Sequence, residues 1–489
     1  MSKFFKELPP REGFAFNYQP SKLDHDALFS LNRTLGKERI RKVREKYHRA
    51  CLSFDDLKAD LFEYKKDKAP ASRDAVYYSV LESVKRDLAP KEKLIPSTTG
   101  AVTKHRNFPG QKSPGLPLKT QGYRTKRDAV SDPNVMRDVL NKWHMIGSGS
   151  RKELPDAACY ARAQVCSVDK NKIRATWGYP LEVYLEEARF FYPMLDHLLE
   201  HPRPHIAYGL ETAMGGMGYI DQSIRELKPE AVLMLDWSKF DKTVPAWLIR
   251  DAFSIISDWI EWSEVVDSEG KVWHVRGYRS RRRWARLVEY FIETPIRMSD
   301  GTRFLKIGGV PSGSCFTNLI DSIVNMIVTR WLTFHKTGSL PLDDFYLGDD
   351  GVVLFNGSLN MTEMAELASS TFGLELNVSK SYWTRKMRNV KFLGYFNFEG
   401  VPYKPLDTTV VSALFPERPV LRKMETISRL IGQAYSCFDA AQAASFFAAA
   451  EILMTEEGVT QEDVEAEIHS HPHHFKYLST LGLKKKKHH

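Results

Sequence analysis

Cysteine is scarce in this 489-residue chain: there are five, odd in number, scattered, and never spaced Cys-x-x-Cys. That excludes a small disulfide-stapled module and suits a reducing compartment. No stretch reaches the roughly 18 consecutive apolar residues of a membrane span. The nearest, Ala440–Met454, is interrupted by Gln442 and Ser445 and reads as a buried helix. The opening MSKFFKELPPREGF has no apolar core of a signal peptide. No repeat of fixed period is visible, which argues against solenoids and propellers. An excess of one charge is lacking too: 70 Lys and Arg against 61 Asp and Glu leave +9. A pI near 9.0 admits nucleic acid as a partner without deciding it. Hydrophobic residues at 43% and charged residues at 27% describe a folded chain, not a disordered one. Its length fits about three domains or one multi-lobed enzyme.

What is present changes in texture along the chain. The first 90 or so residues read as helices with basic faces, seven Lys or Arg falling within Lys37–Ala50. A Pro- and Gly-rich loop follows at Pro96–Leu118, and residues 131–200 read as helices, including the amphipathic Leu181–Leu199. From about 205, short β-branched runs sit beside acidic turns at Ala231–Asp236, Pro295–Ile307 and Asp344–Phe355. Helices alternate with them at Pro245–Trp259, Cys315–Phe334 and Met361–Phe372, and the chain is helical again after about 400. This is the pattern of an α+β core built on antiparallel hairpins.

Two acidic sites end hydrophobic strands. One is Val232-Leu-Met-Leu-Asp236, followed by Asp241; the other is Phe345-Tyr-Leu-Gly-Asp349-Asp350-Gly, closed by Val352–Phe355. A buried strand fixes the backbone while its end projects the carboxylate, so two such strands side by side bring Asp236 and Asp349 within reach of shared Mg²⁺. Phosphoryl transfer is the chemistry such a pair serves. Gly348 permits the tight turn that sets the carboxylates at the hairpin tip. The rival pair Asp343-Asp344 lacks that glycine and reads as a solvated turn.

Between them lies Gly308-Gly-Val-Pro-Ser312-Gly313, opening a long helix. Its glycines allow close approach to a ligand, and the free N–H groups of the helix start suit a phosphate. Thr317, Asp321 and Asn325 recur every four residues as one polar stripe. Arg276–Arg286, with six arginines in eleven residues, reads as a solvated face, with a phosphate-tracking surface as the alternative. His469, His471, His473 and His474 read as solvent-facing, and Lys484–His489 as a basic tail.

MLDWSKFD, GVPSGSCFTNLIDSIVN and YLGDDGVVLF, in that order, resemble motifs A, B and C of viral RNA-dependent RNA polymerases. The likeness is nearest to the partitivirus enzymes of small double-stranded RNA viruses, with the picobirnavirus enzymes second. IAYGLETAMGGM (206–217), SPGLPL (113–118), GLELNVSKS (373–381) and KFLGYF (391–396) look similar as well, and the resemblance covers roughly 105–400. It implies a right hand: an N-terminal helical region bridging fingers and thumb (1–90), fingers (91–205), palm (206–249), a fingers insertion (250–299), palm (300–400), then thumb and tail (401–489).

By that resemblance Asp236, Asp349 and Asp350 hold two Mg²⁺, for which Mn²⁺ can substitute. Asp241 senses the ribose 2′-hydroxyl with help from the helix bearing Thr317, Asp321 and Asn325, and Ser312 and Gly313 bind the nucleotide with them. Asp321 stands where Asn is usual and Asn325 comes one turn later, so either could touch Asp241. Arg174 and Lys172 resemble the basic pair that grips the triphosphate. Ser113, Pro114 and Gly115 resemble the segment lining template entry, and Lys380 the general acid that protonates pyrophosphate. The implied work is replication and transcription of a double-stranded RNA genome. Its expected partners are single- and double-stranded RNA, nucleoside triphosphates and a capsid protein; its expected location is the virion interior and the host cytoplasm. Two rivals stay open: a non-catalytic, capsid-anchored RNA-binding protein, and a reverse transcriptase. The latter usually has a bulky aromatic where Asp241 stands.

Overall fold

The computed structural model describes residues 5–16, 23–64, 70–201, 205–208 and 215–470. His471, His473, His474, the basic tail and residues 209–214 of the 206–217 segment lie outside them. Two sheets organise the chain. Their strands, in order, are β1 (Phe5–Leu8), β2 (Ala157–Ala163), β3 (Ile173–Gly178), β4 (Ala231–Met234), β5 (Pro295–Arg297), β6 (Arg303–Lys306), β7 (Asp343–Leu347), β8 (Asp350–Phe355) and β9 (Tyr382–Thr384). The five-stranded sheet runs β1-β6-β5-β2-β3, and the four-stranded sheet runs β7-β8-β4-β9. All pairings are antiparallel except β5 with β2. The β5–β6 hairpin thus crosses the expected boundary at 299/300.

Residues 131–200 are not all helical as expected. The Pro133–Gly147 and Leu181–Glu200 helices flank β2 and β3. Ala-rich β2 has few β-branched residues, and its helix-compatible composition is overridden by pairing along six positions with β3. In the four-stranded sheet, β4 is a continuous apolar run because it is covered on both faces: Ala231, Val232 and Leu233 are fully buried. One face packs against the large core shared with the Thr317–Thr337 helix. The other packs against the Gly216–Leu227 helix and Val390–Phe392.

A separate core joins the two ends of the chain. Ala27, Leu31, Ile40 and Val43 pack against Val410, Leu414, Ile427, Leu430, Phe446 and Leu453. The Ala440–Glu457 helix buries one face there, through Phe446, Ala449, Ala450 and Leu453, while Phe447 is exposed; it is half-buried, not enclosed. Among the described residues no helix is long and apolar enough to cross a membrane, and all five cysteines are free.

Asp343-Asp344 is not a solvated turn. Asp344 is the second residue of β7 and is 1% exposed. Arg330 grips it with two bonds, Nε–Oδ2 2.7 Å and Nη2–Oδ1 3.0 Å. His205 Nδ1 lies 2.8 Å from Oδ1, and the Tyr346 hydroxyl donates to Oδ2. Burial alone would raise this carboxyl; Arg330 and His205 hold it well below the usual range instead. His205, Asp343 and Asp344 sit at metal-ligand spacing, but Arg330 already takes both Asp344 oxygens. Breaking a buried pair on one side leaves an uncompensated charge, so Arg330→Met should cost about 3–5 kcal/mol. Denaturant unfolding of wild type and variant measures it; a loss under 1 kcal/mol would mean that Asp344 is reached by water.

Candidate active site

β4 ends at Met234, and the next two residues carry the chain to Asp236. Its backbone is clamped by the turn before β9: the Asp236 N–H donates to Ser381 Oγ (2.9 Å), and its carbonyl accepts from the Asn377 N–H (2.9 Å). β8 pairs Val352 with Met234. Continued two residues, that register sets Asp236 level with Asp350 and one step from Asp349, at the tip of the β7–β8 hairpin. Gly348 makes the turn at φ +61°.

The Thr317–Thr337 helix pins this tip. Ser322 Oγ accepts from the Gly348 N–H (2.8 Å), and Asn325 Nδ2 donates to the carbonyls of Gly348 and Asp350 (3.2 Å each). Asn325 Oδ1 accepts from Trp237 Nε1 and Thr329 Oγ1. The polar stripe is therefore not a wet face: Asp321 is 5% and Asn325 1% exposed. Asn325, bonded on all sides, ties the strand after Asp236 to the hairpin. Thr317 Oγ1 donates to the Pro311 carbonyl and braces the loop.

Asp321 is the stripe residue that meets Asp241. Burial, first, and then the Asp241 carboxylate to which it is hydrogen-bonded push its carboxyl well above the usual range; Asp349 adds to this. Its Oδ1 has no partner. Asp349 is likewise raised, by desolvation and by Asp241 and Asp236. Against these four carboxylates stands Arg174 on β3, its Nη2 3.4 Å from Asp241 Oδ2. Asp350 faces elsewhere. Its oxygens accept the N–H groups of Gly351 (2.9 Å) and Leu393 (2.7 Å), and burial lifts its carboxyl to about 6. It anchors the KFLGYF segment to the hairpin.

The glycine loop makes its close approaches to protein. A Cβ on Gly313 would lie 1.5 Å from the Trp177 carbonyl, and one on Gly309 2.9 Å from the Asp241 carbonyl. Ser312 Oγ accepts from the Trp177 N–H and donates to the Ala175 carbonyl (3.4 Å each). The loop is stitched to β3 and so to Arg174. The turn leading into the helix is also occupied: the buried Glu187 carboxyl accepts from the Cys315 N–H (3.1 Å) and the Ser314 hydroxyl. Lys172 and Lys380 are exposed at the margins. The Ser113-Pro114-Gly115 bend packs on β2 and the Leu181–Glu200 helix. Ser113 Oγ is 3.2 Å from the Tyr160 hydroxyl, the Pro114 carbonyl accepts from the Leu181 N–H, and a Cβ on Gly115 would meet the Tyr179 carbonyl at 2.7 Å.

Four contributors were not legible in the sequence. Asp60, on the Phe54–Leu61 helix, pairs with Lys242 and accepts from the Ala175 N–H (2.7 Å), joining the segment after Asp241 to β3. Tyr64 donates to the Val310 carbonyl (2.8 Å) and packs edge-on against Trp177. Glu187 and Ser381 act as described. None carries a local signal, since each works through a partner more than 100 residues away.

Paired antiparallel strands that deliver two carboxylates to one edge, a third five residues on, and a helix pinning the hairpin form the arrangement of the right-hand polymerase fold. The fold agrees over its whole length. The Sicinivirus 3Dpol RNA-dependent RNA polymerase superposes with a TM-score of 0.71 at 14% identity, covering 98% of this chain and all of that one. A family model described as viral RNA-dependent RNA polymerase matches residues 25–399, and the chain belongs to that family. It is 26% identical over 368 residues to the RNA-directed RNA polymerase of Cryptosporidium parvum virus 1 (strain KSU-1), covering 70% of this chain and 65% of that protein. It is 28% identical over 333 residues to that of Atkinsonella hypoxylon virus (isolate 2H), covering 59% and 48%. The chain thus spans between about half and two thirds of these relatives.

Glu187 yields a pH test. Burial pushes its carboxyl from 4.5 up to about 8. The folded state then binds more protons than the unfolded chain across that window, and stability declines as pH rises through it. Glu187→Gln, neutral throughout, should remove this decline and gain on wild type between pH 5 and 8.5 in thermal unfolding. Parallel curves would place Glu187 in water.

Proposed function

We propose that the chain copies RNA templates into RNA from nucleoside triphosphates, replicating and transcribing a double-stranded RNA viral genome. The observation that carries the proposal is the convergence of Asp236, Asp241, Asp321 and Asp349 on one edge, opposed by Arg174. Such crowding is costly unless cations offset it. The donor set consists of hard oxygens at strand ends, suiting Mg²⁺ or Mn²⁺. Asp236 and Asp349 would hold two ions; Asp350, turned to Leu393, keeps the hairpin aligned. Bound there, the metals would supply charge stabilisation of the attacking and leaving oxygens.

The remaining roles fall to the chain itself. Arg174 rests on Asp241. An incoming triphosphate offers its fork a stronger partner, and the move would release the Asp241 carboxylate to accept from a ribose 2′-hydroxyl. Asp321, protonated, donates to Asp241 and sets its orientation. Lys172 extends the positive rim toward the phosphates. Ser312, Gly313 and Thr317 keep the loop against β3, and Lys380, exposed on its turn, is free to give a proton to departing pyrophosphate. Ser113, Pro114 and Gly115 would guide a single strand inward. The division into fingers, palm, thumb and bridging N-terminal helices, the capsid partner and the virion location belong to the same reading. A non-catalytic RNA binder has no use for this carboxylate edge. A reverse transcriptase would have no use for a sugar-sensing Asp241.

Asp236→Ala and Asp349→Ala should each cut nucleotide incorporation on a homopolymer template to a few per cent or less, with RNA binding kept. Substantial turnover in either would remove it from the metal set. Asp241→Ala should narrow the preference for a ribonucleotide over its deoxy partner by roughly 1–3 kcal/mol, the worth of one unpaired buried group. It should also slow ribonucleotide addition. The ratio of kcat/KM values for the two sugars on one template measures this, and an unaltered ratio would move discrimination elsewhere.

A further inference from the structure

The Arg276–Arg286 segment is only half the solvated face its composition suggests. It forms the first turns of the Gly277–Ile292 helix, entered from the hairpin Glu264–Val266 and Val272–His274. Arg283 turns inward to the buried Glu186 (2.7 Å and 2.5 Å), beside the buried Trp284, and Arg286 is 3.9 Å from Glu289. Among the described residues no carboxylate lies within ion-pair distance of Arg276, Arg279, Arg281 or Arg282. Four neighbouring guanidinium groups without counter-charge repel one another, an arrangement kept where an anion completes it.

Aromatic rings stand among these cations. Tyr278 is 50% and Trp273 48% exposed. Lys271 Nζ sits 3.9 Å from the Trp273 ring centre, and the Arg282 guanidinium lies 5.2 Å from that of Tyr278. Arg279 and Arg276 draw the Tyr278 phenol down to about 8, a mark of the positive potential here. Tyr278 and Arg281 also border a groove of about 480 Å³ floored by Trp262, with the Arg281 guanidinium 4.7 Å from its ring centre. The acids nearby are Asp258, Glu261, Glu264, Asp267 and Glu269. Asp267 accepts from Trp273 Nε1 and from the Glu269 and Lys271 N–H groups, and Glu261 accepts from the Ser263 N–H, although Asp258 and Glu261 line the groove's far side.

We propose that this face is a second RNA site, outside the catalytic edge, that holds single-stranded RNA with its phosphates on Arg276, Arg279, Arg281 and Arg282 and its bases against Tyr278, Trp273 and Trp262. Cations alone would suit a duplex or an acidic protein equally. Exposed ring faces beside a base-sized groove suit unstacked bases, which only a single strand offers. No residue of the face contacts Asp236, Asp241 or Asp349 among the described residues. The site is thus available while the catalytic edge is engaged.

The test uses the full chain with its catalytic cleft first saturated by an unlabelled self-primed RNA hairpin. Binding of a fluorescent 12-nucleotide single strand is then followed by anisotropy over a salt series. Wild type should bind it; Trp273→Ala/Tyr278→Ala should weaken binding about tenfold or more. Arg279→Gln/Arg281→Gln should weaken it too and lower the slope of log Kd against log salt by about 0.7 per arginine lost. Both variants should extend the pre-bound hairpin at the wild-type rate, which also shows that they are folded. A 4-thiouridine strand should cross-link to Trp273 or Tyr278. Unchanged affinity in the ring variant, equal competition by a 12-base-pair duplex, or cross-links confined to the cleft would overturn the proposal. These readouts are binding at the outer face, so they fail or succeed separately from the polymerase reading.

Discussion

Carboxylates repel, and the organising constraint here is that several of them must be held on one edge. Free in solution, Asp236, Asp241, Asp321 and Asp349 would move apart. In the fold they cannot, because each is fixed through its backbone. The β4 register against β8 sets Asp236 beside the hairpin tip. Ser322 and Asn325 hold the tip's backbone, and Val310 bonded to the Asp241 carbonyl (2.6 Å) holds the third carboxylate. The repulsion is offset by burial of the strands behind them, whose apolar residues are almost wholly removed from water. Added to burial, it raises the carboxyls of Asp321 and Asp349.

The same constraint explains why distant parts of the chain enter the site. A loop bearing Gly308–Ser314 cannot brace itself, so it leans on β3 through Ser312 and Gly313. β3 in turn is tied to the segment after Asp241 by Asp60. Tyr64 closes the loop from the other side. The helices before Asp60 pack into the C-terminal helical core, so residues 23–64 link that core to the site. Ser312, Asp60 and Tyr64 are each hydrogen-bonded at their junction, and pairing is what makes such junctions rigid rather than costly.

Elements with strong local patterns were legible. β4, the β7–β8 hairpin and the Thr317–Thr337, Ala75–Leu88 and Met361–Phe372 helices lie where periodicity and turn glycines set them, and the ordered motifs around Asp236, Ser312 and Asp349 were enough to indicate the family. Residues whose surroundings are made by other elements were misread. Asp343-Asp344 has the look of a wet turn, yet Arg330 and His205 enclose it. β2 and β3 have no strong strand signature and exist by pairing with each other.

The sequence by itself determined which residues could do chemistry, the order in which they occur and the class of fold that carries them. These depend on side-chain type and on short-range periodicity, which are local. Only the tertiary structure decided that Asp321 rather than Asn325 meets Asp241, that Asp350 turns to Leu393, and that Glu187 fills the turn leading into the Thr317–Thr337 helix. It also decided that four arginines of the Arg276–Arg286 segment have no carboxylate partner among the described residues while Arg283 is consumed by Glu186. Each of those outcomes depends on which partner, tens to hundreds of residues away, reaches a polar group first. A buried polar group is bound to take the partner that packing brings to it, and packing is a property of the whole chain.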